Sequence, residues 1–148
     1  MKNISSPVII GSDHAAFPMK EAVKQFLSDN GIEVTDAGTT GPDSVDYSDY
    51  GIKVAAAVSS GEFERGILLC GTGLGMSMVA NRFDHVRAAL CGDIFTARMS
   101  RLHNDSNILV LGGRVIGETL ALEIVKTWLE TGFEGGRHLA RLEKFDKV

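Results

Sequence analysis

Between Arg65 and Gly75 the chain reads Arg-Gly-Ile-Leu-Leu-Cys-Gly-Thr-Gly-Leu-Gly. An apolar run ends on Cys70, glycines alternate at Gly71, Gly73 and Gly75, and a helical pattern begins at once from Leu74. A strand-to-helix turn of this composition aims backbone N–H groups and the positive end of a helix dipole at one spot, making an anion site with a thiol at its rim. A thiol so placed is expected to serve as a nucleophile or a base. Three glycines in five residues exceed what a tight turn requires. The chemistry indicated is that of an enzyme handling an anionic intermediate, and position 76 narrows it. A dinucleotide fingerprint needs its third glycine there, and a cysteine-phosphatase loop closes there on an arginine, but the residue is Met76.

Other reactive side chains follow the ends of other apolar runs: Asp13 and His14 after the first, Cys91 and Asp93 after the fourth, Arg114 after the fifth. Asp13-His14 reads either as a ligand pair or as a helix N-cap with a solvated imidazole. Arg137 and Arg141 are spaced i, i+4, so on a helix they share a face and repel by about 0.2 to 0.5 kcal/mol. An anion between them offsets that repulsion, and phosphate is the natural one. The alternative is an ordinary solvated face.

To position these groups, apolar runs must alternate with helices, the pattern of a parallel sheet covered on both faces. Strands are expected at Val8 to Ile10, Ile32 to Val34, Ile67 to Leu69, Val86 to Leu90 and Ile108 to Leu111. Met19, Ala22, Val23, Phe26 and Leu27 carry the spacing of one buried helix face, with Pro18 at its start and Gly31 past its end. Further helices are expected from Tyr47 to Ser60, from Gly73 or Leu74 to Arg82, and from Ile94 to Leu102. A fifth buries Leu120, Ala121, Ile124, Val125 and Trp128 and stops at Gly132, and a short last helix begins near Arg137. The fold class is α/β: a single doubly wound, Rossmann-like domain over residues 1–148, with a five-stranded parallel sheet, helices on both faces and a short C-terminal helix.

In the common strand order 2-1-3-4-5, ligands bind where the order reverses, between strands one and three. Asp13, His14 and Cys70 would then face each other. His103-Asn104-Asp105 ends the fourth helix, and its ten or so residues carry the chain about 15 Å to the opposite edge of the sheet. The triplet is therefore either a helix C-cap and turn or part of a neighbouring subunit's site. The second reading implies an obligate dimer with shared sites. The last helix is expected to pack on a partner, because the sheet is complete before it.

Composition sets the outer limits. The 148 residues suit one domain with a full core. A net charge of −4 without a basic run argues against nucleic acid as the main partner. No apolar stretch approaches the roughly 20 residues of a membrane span, and Met1 to Pro7 has no leader pattern, so a cytoplasmic protein is expected. Cys70 and Cys91 make no disulfide framework, and histidines at 14, 85, 103 and 138 show no metal-ligand spacing, so no metal or cofactor is expected.

The chain resembles the type B ribose-5-phosphate isomerases, within a wider family that includes galactose-6-phosphate and allose-6-phosphate isomerases. The resemblance rests on Gly11 to Ala15, Asp46-Tyr47, Gly66 to Gly75, Ala80 to Arg82, Ser100 to Asp105, Gly112 to Gly117 and Phe133 to His138, nearly the whole chain in the family's order. It implies a metal-independent aldose-ketose isomerase of the pentose phosphate pathway that works through an enediolate. Cys70 would be the base moving the proton between C1 and C2, with Thr72 beside it and the amides of Gly71, Gly73, Leu74 and Gly75 holding the enediolate oxygens. His103 would help open the furanose ring. Asp13 would contact sugar oxygens, His14, Arg137 and Arg141 the phosphate, and Tyr47, Asn104 and Arg114 further parts of the substrate. Relatives that lack the cysteine carry a glutamate base at the loop's end, where this chain has Met76. A six-carbon substrate, a non-catalytic sugar-phosphate sensor and the pairing of dimers into tetramers stay open on sequence alone.

Overall fold

In the computed structural model, which describes Ile4 and residues 6–148, five strands form one parallel sheet: β1 (Val8–Ser12), β2 (Val34–Asp36), β3 (Arg65–Cys70), β4 (Ala88–Leu90) and β5 (Ile108–Gly112). Six helices connect and cover them: α1 (Phe17–Asp29), α2 (Tyr47–Ser59), α3 (Leu74–Ala80), α4 (Ile94–Leu102), α5 (Glu118–Glu130) and α6 (Arg137–Phe145). Part of the opening segment Met1 to Pro7 lies outside the described residues. Both faces of the sheet are buried, so alternate residues of each strand serve opposite layers. Val8, Ile10, Ile67, Leu69, Leu109 and Leu111 pack with Val23 and Leu27 of α1 and Ile124, Val125 and Trp128 of α5. Ile9, Leu68, Cys70, Ile108 and Val110 pack with Val54 and Val58 of α2 and Met76 and Ala80 of α3.

The strand order is β2-β1-β3-β5-β4, not 2-1-3-4-5. The reversal between β1 and β3 survives, but β5 lies directly beside β3, with Cys70 opposite Gly112. Cys91, expected one strand from Cys70, follows the edge strand β4 two strands away, about 9 to 10 Å across the sheet. The two thiols also belong to opposite layers. A disulfide between them is excluded, because bridged Cα atoms stand within about 7 Å.

Local chemistry moves some boundaries. Gly31 at φ +73 ends α1, where Ile32 N–H donates to Leu27 O at 3.0 Å and Gly31 N–H to Ser28 O at 3.0 Å. That double closure buries Ile32 as the apolar contact of a helix cap rather than as a strand residue, so β2 starts later than expected. The helix α3 stops at Ala80, before Arg82, because the Asn81 amide donates to Ser77 O and Ala88 O while its oxygen accepts from Ala88 N. The buried Val86 precedes β4 instead of opening it. Leu120, at the margin of the α5 stripe, is exposed, and Ala22 and Phe26 are only partly buried.

Lys20 is fully buried on α1, with its ammonium on Glu21 at 2.7 Å and on Asp36 at the end of β2. Asp36 also accepts from Lys24 at 2.6 Å and from Gly38 N–H at 2.9 Å. Burial alone would raise the Asp36 carboxyl, but the two lysines and the Gly38 amide overcome it and hold the group below its ordinary value. Lys20→Met is expected to cost about 2 kcal/mol, less than a fully buried pair, because Asp36 keeps Lys24 and some water. A depressed carboxyl contributes stability above its unfolded pKa and loses it as pH falls through its folded pKa. Denaturant melts should therefore show the gap between the two proteins shrinking below about pH 4, and a gap independent of pH would contradict the assignment.

Candidate active site

The carboxyl ends of β1, β3 and β5 meet around a cleft of about 300 Å³ lined by Asp13, His14, Ala15, Tyr47, Cys70, Gly71, Thr72, Gly75 and Arg114. Cys70 is buried, and its Sγ accepts from Gly73 N–H at 3.1 Å, which sets a donor against the sulfur. Gly73 takes φ +80, and a Cβ there would stand 2.4 Å from the Leu90 side chain, so the turn into α3 requires glycine. Thr72 is exposed, and its Oγ1 accepts from Leu74 N–H at 3.3 Å. The amides of Gly73 and Leu74 are thus engaged within the loop.

Asp13 caps the 3-10 turn His14–Ala16, its Oδ1 accepting from Ala16 N–H at 3.2 Å, so the N-cap reading and the cleft position hold together. His14 Nδ1 accepts from Val45 N–H at 3.1 Å, which in the neutral ring leaves the proton on Nε2. The Tyr47 ring lies across the loop, where a Cβ on Gly75 would come within 2.5 Å of it. Arg114 arrives because β5 neighbours β3: the pairing runs on past Cys70 through Gly113 N–H to Cys70 O at 2.8 Å and Arg114 N–H to Gly71 O at 2.9 Å. The expected order, with β4 between them, would have held it away.

The remaining candidates form a second group at the amino end of the sheet. His103 is the C-cap of α4. Its ring stacks on His138 of α6, with centroids 4.2 Å apart and planes 14° from parallel. Glu134 N–H donates to Leu102 O at 3.0 Å, and Gly135 and Gly136, both at positive φ, turn the chain into α6. Arg137 and Arg141 are exposed on that helix. Asn104 borders a groove with Arg87, Ser106 and Phe145. Burial and the neighbouring His103 push His138 below the usual histidine range, against the pull of Glu134. His14 and the arginine pair, expected on one phosphate, therefore belong to different groups within one chain. Glu134 and His138 lie in the stretch Phe133 to His138 that carries the resemblance, but nothing there gives either a role, and the contact with His103 spans 35 residues.

A family model described as Ribose/Galactose Isomerase matches residues 8–145. Ribose-5-phosphate isomerase B of Escherichia coli is 45% identical over 141 residues, 95% of each chain. The D-erythrulose-4-phosphate isomerase of Pectobacterium atrosepticum is 42% identical over 139 residues, covering 93% of this chain and 91% of the relative. Among solved structures, a ribose 5-phosphate isomerase from Thermotoga maritima superposes with a TM-score of 0.95 at 55% identity, over 97% of this chain and 99% of the other. No helix among the described residues is long and apolar enough to cross a membrane.

Proposed function

Since this chain belongs to the ribose/galactose isomerase family, we propose that it interconverts ribose 5-phosphate and ribulose 5-phosphate through an enediolate. The observation that carries the reading is the buried Cys70 facing Asp13, His14, Tyr47 and Arg114 in one cleft, with a glycine loop around its sulfur. Cys70 is the base that carries the proton between C1 and C2, with Thr72 beside it. A proton next to a carbonyl is weakly acidic, so the intermediate needs fixed donors, and the amides of Gly71 and Gly75 supply them, while those of Gly73 and Leu74, also expected there, are held by Cys70 Sγ and Thr72 Oγ1. His103 opens the furanose ring, Asp13 holds sugar oxygens, Tyr47, Asn104 and Arg114 add contacts, and His14 with Arg137 and Arg141 grips the phosphate. Binding energy from the phosphate, remote from the reacting carbons, orients them for proton transfer.

The division of these residues between two ends of the sheet supports a homodimer in which each site takes Cys70 from one subunit and His103, Asn104, Arg137 and Arg141 from the other. Exposed Leu74 and Met78 on α3, Leu90 at the end of β4, and Ile94 and Phe95 on α4 flank the edge strand and offer apolar surface for that contact. Residues 1–148 act as one domain, in the cytoplasm, with a sugar phosphate and not a nucleic acid or a membrane as partner.

Relatives act on sugar phosphates of other lengths, so the test compares kcat/KM on ribose 5-phosphate, allose 6-phosphate, galactose 6-phosphate and erythrulose 4-phosphate. The five-carbon substrate is expected to lead. A higher kcat/KM on another sugar moves the assignment within the family, and binding with no turnover of any of them leaves a sensor.

A further inference from the structure

The contact between His103 and His138 brings Glu134 with it. His138 is 3% exposed and its Nε2 has no hydrogen-bond partner, although Glu134 Oε2 lies 3.7 Å away. His103 Nε2 stands 3.8 Å from the same oxygen, and the three donor atoms all lie within 4.8 Å of one another. These separations are too long for hydrogen bonds. The two histidine–carboxylate separations match the roughly 3 to 4 Å between donors that each stand about 2.0 to 2.2 Å from a single ion. Two imidazoles and a carboxylate also make the ligand set of open zinc sites, which leave a fourth position to solvent.

We propose that His103, Glu134 and His138 bind a borderline-soft divalent cation, zinc or nickel, at a site separate from the Cys70 cleft of the same chain. His138 is fixed by burial, whereas the His103 side chain is 39% exposed and has to turn out of the stack to bring its Nε2 lone pair onto the ion. Arg137 and Arg141 carry positive charge close to His138. Magnesium and calcium, which bind through oxygen donors and charge, are therefore excluded, while ions that draw on imidazole tolerate the arginines. Binding itself does not depend on the isomerase reading. One consequence does: an ion on His103 ties up the imidazole that would open the sugar ring, so the bound form is inhibited.

The test is calorimetric titration of the full-length protein with nickel chloride, repeated with magnesium chloride. Cys70→Ser is included because a thiol competes for soft ions. One nickel per chain is expected, with Kd in the micromolar range, no magnesium binding, and an unchanged result in Cys70→Ser. Glu134→Ala and His138→Ala should each weaken nickel binding by roughly tenfold or more. Glu134 is exposed, so its variant separates loss of a ligand from loss of the fold should the buried His138 not tolerate replacement. The proposal is overturned by the absence of nickel binding, by an affinity unchanged in Glu134→Ala, or by loss of binding in Cys70→Ser. An inactive protein that still binds nickel with this pattern overturns the isomerase reading and leaves the metal site standing.

Discussion

Replacing Cys70 by alanine is expected to lower kcat on ribose 5-phosphate by about 10² to 10⁴, the usual contribution of a general base, with KM changed only a few-fold. The fold should hold, since the side chain is small and lies in an apolar layer with Val54, Met76 and Val110, and the one hydrogen bond lost is that from Gly73 N–H. Nothing nearby replaces it. Met76, at the loop's end, is fully buried and has no proton acceptor strong enough. Cys70→Ser keeps the size and a hydrogen-bonding atom but offers a much weaker base, and should fall close to the alanine variant. Solvent deuterium entering C2 of recovered substrate reports proton transfer directly. Near-normal turnover in Cys70→Ala would remove the thiol from the mechanism, whatever the fate of the fold.

Mixing Cys70→Ala with His103→Ala, each inactive alone, should restore activity to about a quarter of wild type after random reassembly of two-fold dimers. Half of the dimers are then mixed, and each mixed dimer holds one site with both residues intact and one with neither. The geometry behind this expectation is the separation of the two groups. Cys70 closes the carboxyl end of β3, while His103 stands ahead of β5, whose first residue, Ile108, pairs with Gly66. The length of a strand lies between them. Activity that stays at the level of the single variants after exchange, checked by mass spectrometry of the mixed species, would show that the two residues do not share a site across subunits.

Much of this arrangement was legible in the chain because it depends on local chemistry. The continuous apolar runs of β1, β3 and β5 follow from burial on two faces, and α4 spans Ile94 to Leu102 as its pattern requires. The Cys70 loop is local as well, since one strand end, one left-handed glycine and one helix start define it. Boundaries were missed where a cap overrode the apolar signal: Ile32 serves the end of α1, and Asn81 stops α3 early.

The neighbour relations were decided elsewhere. Hydropathy says that a strand is buried on both faces but not which strand lies beside it, so β5 and β4 could exchange places without altering a single apolar run. That choice brings Arg114 to Gly71 and parts Cys91 from Cys70. Contacts across long loops are silent in the same way: His103 and His138 meet only because Gly135 and Gly136 fold α6 back onto α4. The alternation of elements and the chemistry of each loop can be read along the chain, because both depend on residues within a turn or two of one another. Which loops share a cleft cannot, because strand order and helix docking depend on packing between residues far apart in the chain.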